Sequence, residues 1–99
     1  MELALGHREA ALEAYRRGLD IRERIARDYG ETPESLRDLV LSACRLAAVD
    51  MDAENKQSAV AHLHRAKELT QRIFDAGWGL PQNEEDRRWI DEMLRRLTA

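Results

Sequence analysis

Residues 11–19, Ala11-Leu12-Glu13-Ala14-Tyr15-Arg16-Arg17-Gly18-Leu19, recur in pattern 48 residues further on as Ala59-Val60-Ala61-His62-Leu63-His64-Arg65-Ala66-Lys67. In each copy a small residue, a bulky one four later and a second small one three further on share one face of a helix: Ala11, Tyr15, Gly18 and Ala59, Leu63, Ala66. Small residues let a neighbouring helix approach and the bulky one fills the space beside it. The two copies therefore read as equivalent helices in an all-α chain. No segment alternates with period two, so no strand is expected.

Working outward, the spacing predicts a first helix from about His7 to Tyr29, ended by Gly30, which can take the left-handed conformation past a helix end. Thr32-Pro33 supplies a hydroxyl cap and a proline at the first helical position of a second helix. Leu36, Leu39, Val40, Ala43, Leu46, Ala47 and Val49 cover more than one stripe of that helix, which implies neighbours on two sides. The polar stretch 50–55 reads as a turn. A third helix follows from about Lys56 to Ala76, capped by Asn55 or Ser58, and Gly77-Trp78-Gly79-Leu80-Pro81 breaks it. Asn83 and the acidic Glu84-Glu85-Asp86 are expected to cap a last helix, with Trp89, Ile90, Met93, Leu94 and Leu97 on one face. Acid and base stand four apart at Glu13/Arg17, Asp20/Arg24, Glu23/Arg27, Glu68/Arg72, Glu84/Arg88, Asp91/Arg95 and Glu92/Arg96, so local ion pairs are expected along the helices.

Composition narrows the function. The 99 residues are 43% hydrophobic and 35% charged with a net charge of −3, enough for one modest core and too few for a two-domain enzyme. Asp plus Glu exceed Lys plus Arg, nineteen against sixteen, which argues against a surface for nucleic acid. Apolar runs are short and the first residues form no basic leader, so no membrane span or secretory signal is expected and the expected compartment is the cytoplasm. Cys44 is alone, which excludes an intrachain disulfide and a cysteine-based zinc site.

The pattern resembles a tetratricopeptide repeat, whose helical hairpins carry a Leu-Gly pair in the first helix and Ala-x-x-x-Phe/Tyr in the second. Leu46-Ala47 and Ala59-x-x-x-Leu63 follow that spacing, with Ala47 at the family's glycine. Residues 11–26 followed by Arg37-Asp38-Leu39 are similar to a longer-helix bacterial subtype, and the tail from Gly79 to Ile90 is similar to the helix that closes such arrays. The resemblance implies one TPR-like domain over 1–99, at the C-terminal end of a right-handed superhelix. Residues 6–30 would be the second helix of a truncated repeat, with Gly6 at the turn between its two helices. Residues 32–76 would be a complete hairpin, and 82–98 a capping helix. In that family the first helix of each hairpin receives a peptide, here at Leu41, Cys44, Ala48 and Met51, which are apolar or small and unsuited to clamping a terminal carboxylate. The expected function is protein or peptide binding by an adaptor or scaffold. The alternatives are a self-association unit forming a homo-oligomer through Ala14, Gly18, Ile21 and Ile25, or a fragment of a larger array.

No catalytic constellation, cofactor site or metal site is expected. Asp50, Asp52 and Glu54 open like a calcium loop, but Asn55 stands at the required glycine and Ala61 at the required glutamate. His62 and His64 are two apart on a helix and cannot share an ion, and His7 stands alone. Cys44 has no imidazole one turn away and reads as a small buried hydrophobe. Trp78 is expected to lock the cap onto the third helix rather than to form a contact site.

Overall fold

A computed structural model of the chain describes residues 2–99, with the side chains of residues 2–8, 11, 26, 27 and 29 outside that description. The chain is all-α, built of four packed helices: α1 (Glu2–Tyr29), α2 (Pro33–Asp52), α3 (Lys56–Asp75) and α4 (Pro81–Thr98). Helix α2 packs against both α1 and α3, and α4 packs against α3 while reaching α2 through Arg37 and Asp86. The result is a flat body of 46 × 33 × 18 Å.

The sequence places the start of α1 at His7 and a turn at Gly6, whereas the helix begins at Glu2 and runs through Gly6. A glycine inside a helix costs about 1 kcal/mol, which the remaining turns of a 28-residue helix can absorb. The side-chain expectation for His7 lies outside the described residues. Gly30 takes φ +88°, as its place after α1 requires. Thr32 then closes a reciprocal cap: its Oγ1 accepts the Ser35 N–H at 3.0 Å, and its own N–H donates to Ser35 Oγ at 2.9 Å.

Two helix ends use the same device. At α2 the Asn55 N–H donates to the Asp50 carbonyl (2.8 Å) and the Glu54 N–H to that of Met51 (3.0 Å). At α3 the Trp78 N–H donates to Ile73 and the Gly77 N–H to Phe74, both at 3.0 Å. This pairing needs a left-handed residue at the inner position. Gly77 supplies it at φ +78°, but at the end of α2 it falls on Glu54, at φ 59°. Trp78, next in line, folds back on the core, half-buried against it. Gly79 is needed for a different reason, because a Cβ there would enter the Phe74 ring. That ring lies under the Arg87 guanidinium, 4.3 Å from its centroid.

Asn83 does not cap α4 in the expected way. The helix starts earlier, with Leu80 at the cap and Pro81 at the first position, and the buried Asn83 side chain reaches back to accept the Leu80 N–H at 2.9 Å. The expected single face of α4 also divides. Ile90 and Leu94 enter the core, Met93 and Leu97 border it, and Trp89 turns outward.

The core is centred on α2 and α3. Leu36, Leu46, Leu63, Leu69 and Ile90 are fully buried and Ile73 almost so. Each such side chain is worth about 1.5–3 kcal/mol of burial. By contrast, α1 contributes Leu19 as its buried residue among those described, with Leu12 at the margin.

Replacing Glu54 by Gly relieves a left-handed residue with a side chain, and the expected outcome is a gain of about 1 kcal/mol in a urea melt. Gly77→Ala, at the equivalent end of α3, is expected to lose about as much.

Candidate functional site

Three of the four residues expected to bind a partner come together. Leu41, Cys44 and Ala48 lie one turn apart on α2, and with Arg45 they form one wall of a groove whose other wall is Asp86 and Trp89 of α4. Met51, half-buried in the last turn of α2, is not among these walls. The groove holds about 250 Å³, the size of one or two bulky apolar side chains. Its floor is apolar: Leu41 and Cys44 are half-buried, Ala48 is exposed, and the Trp89 ring is 37% exposed.

Electrostatics divide the rim. Asp86 is engaged by Arg37 of α2, whose Nε donates to its Oδ2 at 3.1 Å, tying α4 to α2 beside the groove. Arg45 is exposed and carries no ion-pair partner among the described residues. Cys44, expected as a buried hydrophobe, is only half-buried and opens on the groove. Burial, and secondarily the nearby Asp86 carboxylate, push its thiol from 9.0 up to about 12, so it stays protonated and unreactive.

A second constellation was not foreseen as such. Asp50, expected in a solvated acidic turn, lies in the last turn of α2 and is fully buried. Its Oδ2 accepts the Ser58 hydroxyl at 2.6 Å and His62 Nδ1 at 2.8 Å, while Oδ1 faces no donor among the described residues. The signal was available, since Ser58 and His62 are four apart on one face of α3, just across a short turn from Asp50. Serine, histidine and aspartate are the residue types of a nucleophilic triad, but here both donors meet the same carboxylate oxygen. The imidazole does not stand between hydroxyl and carboxylate, so it is not placed to take the hydroxyl proton. The arrangement fastens the start of α3 to the end of α2. No cluster of three or more His, Cys, Asp or Glu that could hold a metal ion occurs among the described residues.

Comparison with known protein families, curated proteins and solved structures finds no match for this chain.

The self-association residues lie on the outer side of α1. Ile21 is 54% and Ile25 51% exposed, Ala14 is exposed and Gly18 half-buried. The expected local ion pairs form in part, and Glu23–Arg27 lies outside the described residues. Glu13–Arg17 (2.9 Å) and Glu92–Arg96 (3.0 Å) form as spaced. Glu23 binds Arg65 of α3 (Nε at 3.0 Å), Arg72 of α3 binds Glu31 before α2 (3.0 Å), Asp91 of α4 binds Lys67 of α3 (3.0 Å), and within α4 Glu84 takes Arg87 (2.7 Å).

Because the folded chain favours the neutral Cys44 thiol, stability is fully kept below pH 9 and is expected to fall as pH rises toward 12. In the same way, alkylation of Cys44 at pH 8 is expected to be slower in the native than in the unfolded chain, measured by mass spectrometry, because less of the folded thiol is ionised. Asp50→Ala leaves Ser58 and His62 without their acceptor and is expected to cost about 1–3 kcal/mol of stability in a denaturant melt.

Proposed function

We propose that this chain is a non-catalytic protein-binding module of TPR-like build, an adaptor or scaffold acting in the cytoplasm. Its α2–α4 groove takes a short peptide or helix that places a bulky apolar side chain beside an acidic one. The observation that carries the reading is the groove itself: an apolar floor of Leu41, Cys44 and Ala48, an outward-turned tryptophan opposite, and on the rim an exposed arginine with no ion-pair partner among the described residues. Aromatic and arginine side chains at the edge of a desolvated apolar patch are the typical anchors of protein recognition. Arg45 supplies the preference for acid, and Asp86, already held by Arg37, repels a second one.

Helical hairpins with short connections and an internal repeat support the TPR-like build. No helix among the described residues is long and apolar enough to cross a membrane, in keeping with a module that binds protein. The arginines of α4 are partly neutralised, Arg87 by Glu84 and Arg96 by Glu92, which leaves little basic surface for nucleic acid. The exposed Ile21 and Ile25 favour a second reading alongside the first, an assembly unit, and that stripe lies on a different helix from the groove.

Selection from a displayed peptide library, followed by titration of the recovered peptides, tests the groove. The peptides are expected to share an apolar residue next to an acidic one, and Ala48→Glu, at an exposed position, is expected to weaken their binding at least about tenfold. Peptides that bind Ala48→Glu and the unaltered chain alike, or no selected peptides at all, would overturn the groove as the binding site.

A further inference from the structure

The 48-residue repeat pairs residues 8–27 of α1 with the residues of α3, and the counterparts of the exposed stripe are buried or bonded to α2. Ala14, Gly18, Ile21 and Ile25 correspond to His62, Ala66, Leu69 and Ile73. Ala66 and Leu69 are fully buried, Ile73 is 1% exposed, and His62 is bonded to Asp50 of α2. That hydrogen bond identifies what covers the stripe on α3: the helix before it in its own hairpin. On α1 the same stripe is open. A Cβ built on Gly18 meets nothing nearer than the Arg22 guanidinium at 4.0 Å, so a neighbouring backbone can approach closely there. The opposite side of α1 is already used, with Leu19 against α2 and the Arg22 guanidinium donating to Ser42.

We infer that the outer stripe of α1 is the interface of a homodimer, occupied by α1 of a second copy lying antiparallel across a twofold axis near Gly18. Charge selects this occupant. On the outer rim of the stripe stand Glu13, Arg17, Asp20 and Arg24, all exposed. Asp20 and Arg24, four apart and of opposite sign, nevertheless make no ion pair among the described residues. An antiparallel copy brings Glu13 opposite Arg24 and Arg17 opposite Asp20 on both sides of the axis, so each acid meets a base. A parallel copy would turn this rim toward the opposite rim of its partner, where Arg22 is held by Ser42, and the four charges would not meet one another. The pairing is isologous and closes at two, and it puts Ile21 and Ile25 out of water without involving the α2–α4 groove.

The test is the mass in solution by light scattering over a roughly hundredfold range of concentration, with circular dichroism to confirm folding. The unaltered chain is expected to be a dimer. Ile21→Glu, at a position more than half exposed in the single chain, is expected to keep the helix content and weaken dimerisation about a hundredfold or more, since each dimer carries the change twice. Glu13→Arg is expected to weaken the dimer and Glu13→Arg with Arg24→Glu to restore it. Gly18→Cys, made with Cys44→Ala, is expected to give an interchain disulfide on oxidation, and serves if Ile21→Glu fails to fold. A monomer throughout the range would overturn the inference, as would a dimer indifferent to Ile21→Glu. A dimer that the double exchange does not restore overturns the antiparallel pairing. Loss of peptide binding in an Ala48→Glu chain that stays dimeric separates this interface from the groove.

Discussion

Helix α2 carries apolar side chains around most of its circumference, and water has to be excluded from nearly all of them at once. Leu36, Leu39, Val40, Ala43, Leu46 and Ala47 are all buried, which one neighbouring helix could not achieve. The flat stack follows from this requirement. Helix α3 covers one side, α1 the other, and what is left of α2 between them, Leu41, Cys44 and Ala48, becomes the floor of the groove once α4 returns along α3. The binding surface is the part of the most apolar helix that the chain's own helices do not reach.

Polar groups are used to hold this stack in register. Asp50 is buried beside the α2–α3 turn and its Oδ2 accepts from two donors of the next helix, while Glu23–Arg65, Glu31–Arg72, Lys67–Asp91 and Arg37–Asp86 each link different segments of the stack. Pairs between residues four apart on one helix are worth only about 0.3–0.5 kcal/mol, so long side chains leave them readily when a neighbouring helix offers a better-placed partner. That is why Arg72 leaves Glu68 for Glu31, and Asp91 leaves Arg95 for Lys67.

Much of the local structure was legible because it depends on near neighbours in the chain. Thr32-Pro33 starts α2 as expected, Gly30 and Gly77 end helices through their left-handed backbone, and Trp78 locks the α3 turn through the contact that this type of helix end favours. The failures have equally physical causes. Gly6 read as a turn because a family pattern placed one there, yet a helix tolerates a glycine. Asn83 read as a cap because its side chain suits one, but Pro81 starts the helix two residues earlier. Asp50 read as solvated because a carboxylate near a turn usually is, and its burial depends on Ser58 and His62 arriving from the next helix.

The two copies of the repeat separate what the chain alone determines from what its tertiary structure decides. The sequence by itself determined that residues 11–19 and 59–67 are helical and present the same stripe, because helical periodicity and capping act within a few residues. It could not determine that Leu63 and Ala66 would be fully buried while Tyr15, their counterpart's bulky residue, remains 38% exposed. Burial counts neighbours, and α3 packs closely against both α2 and α4 where α1 packs closely against α2 and reaches α3 through Glu23 and Arg65. The groove, likewise, joins Leu41 to Trp89, residues that become neighbours only when α4 packs beside α3.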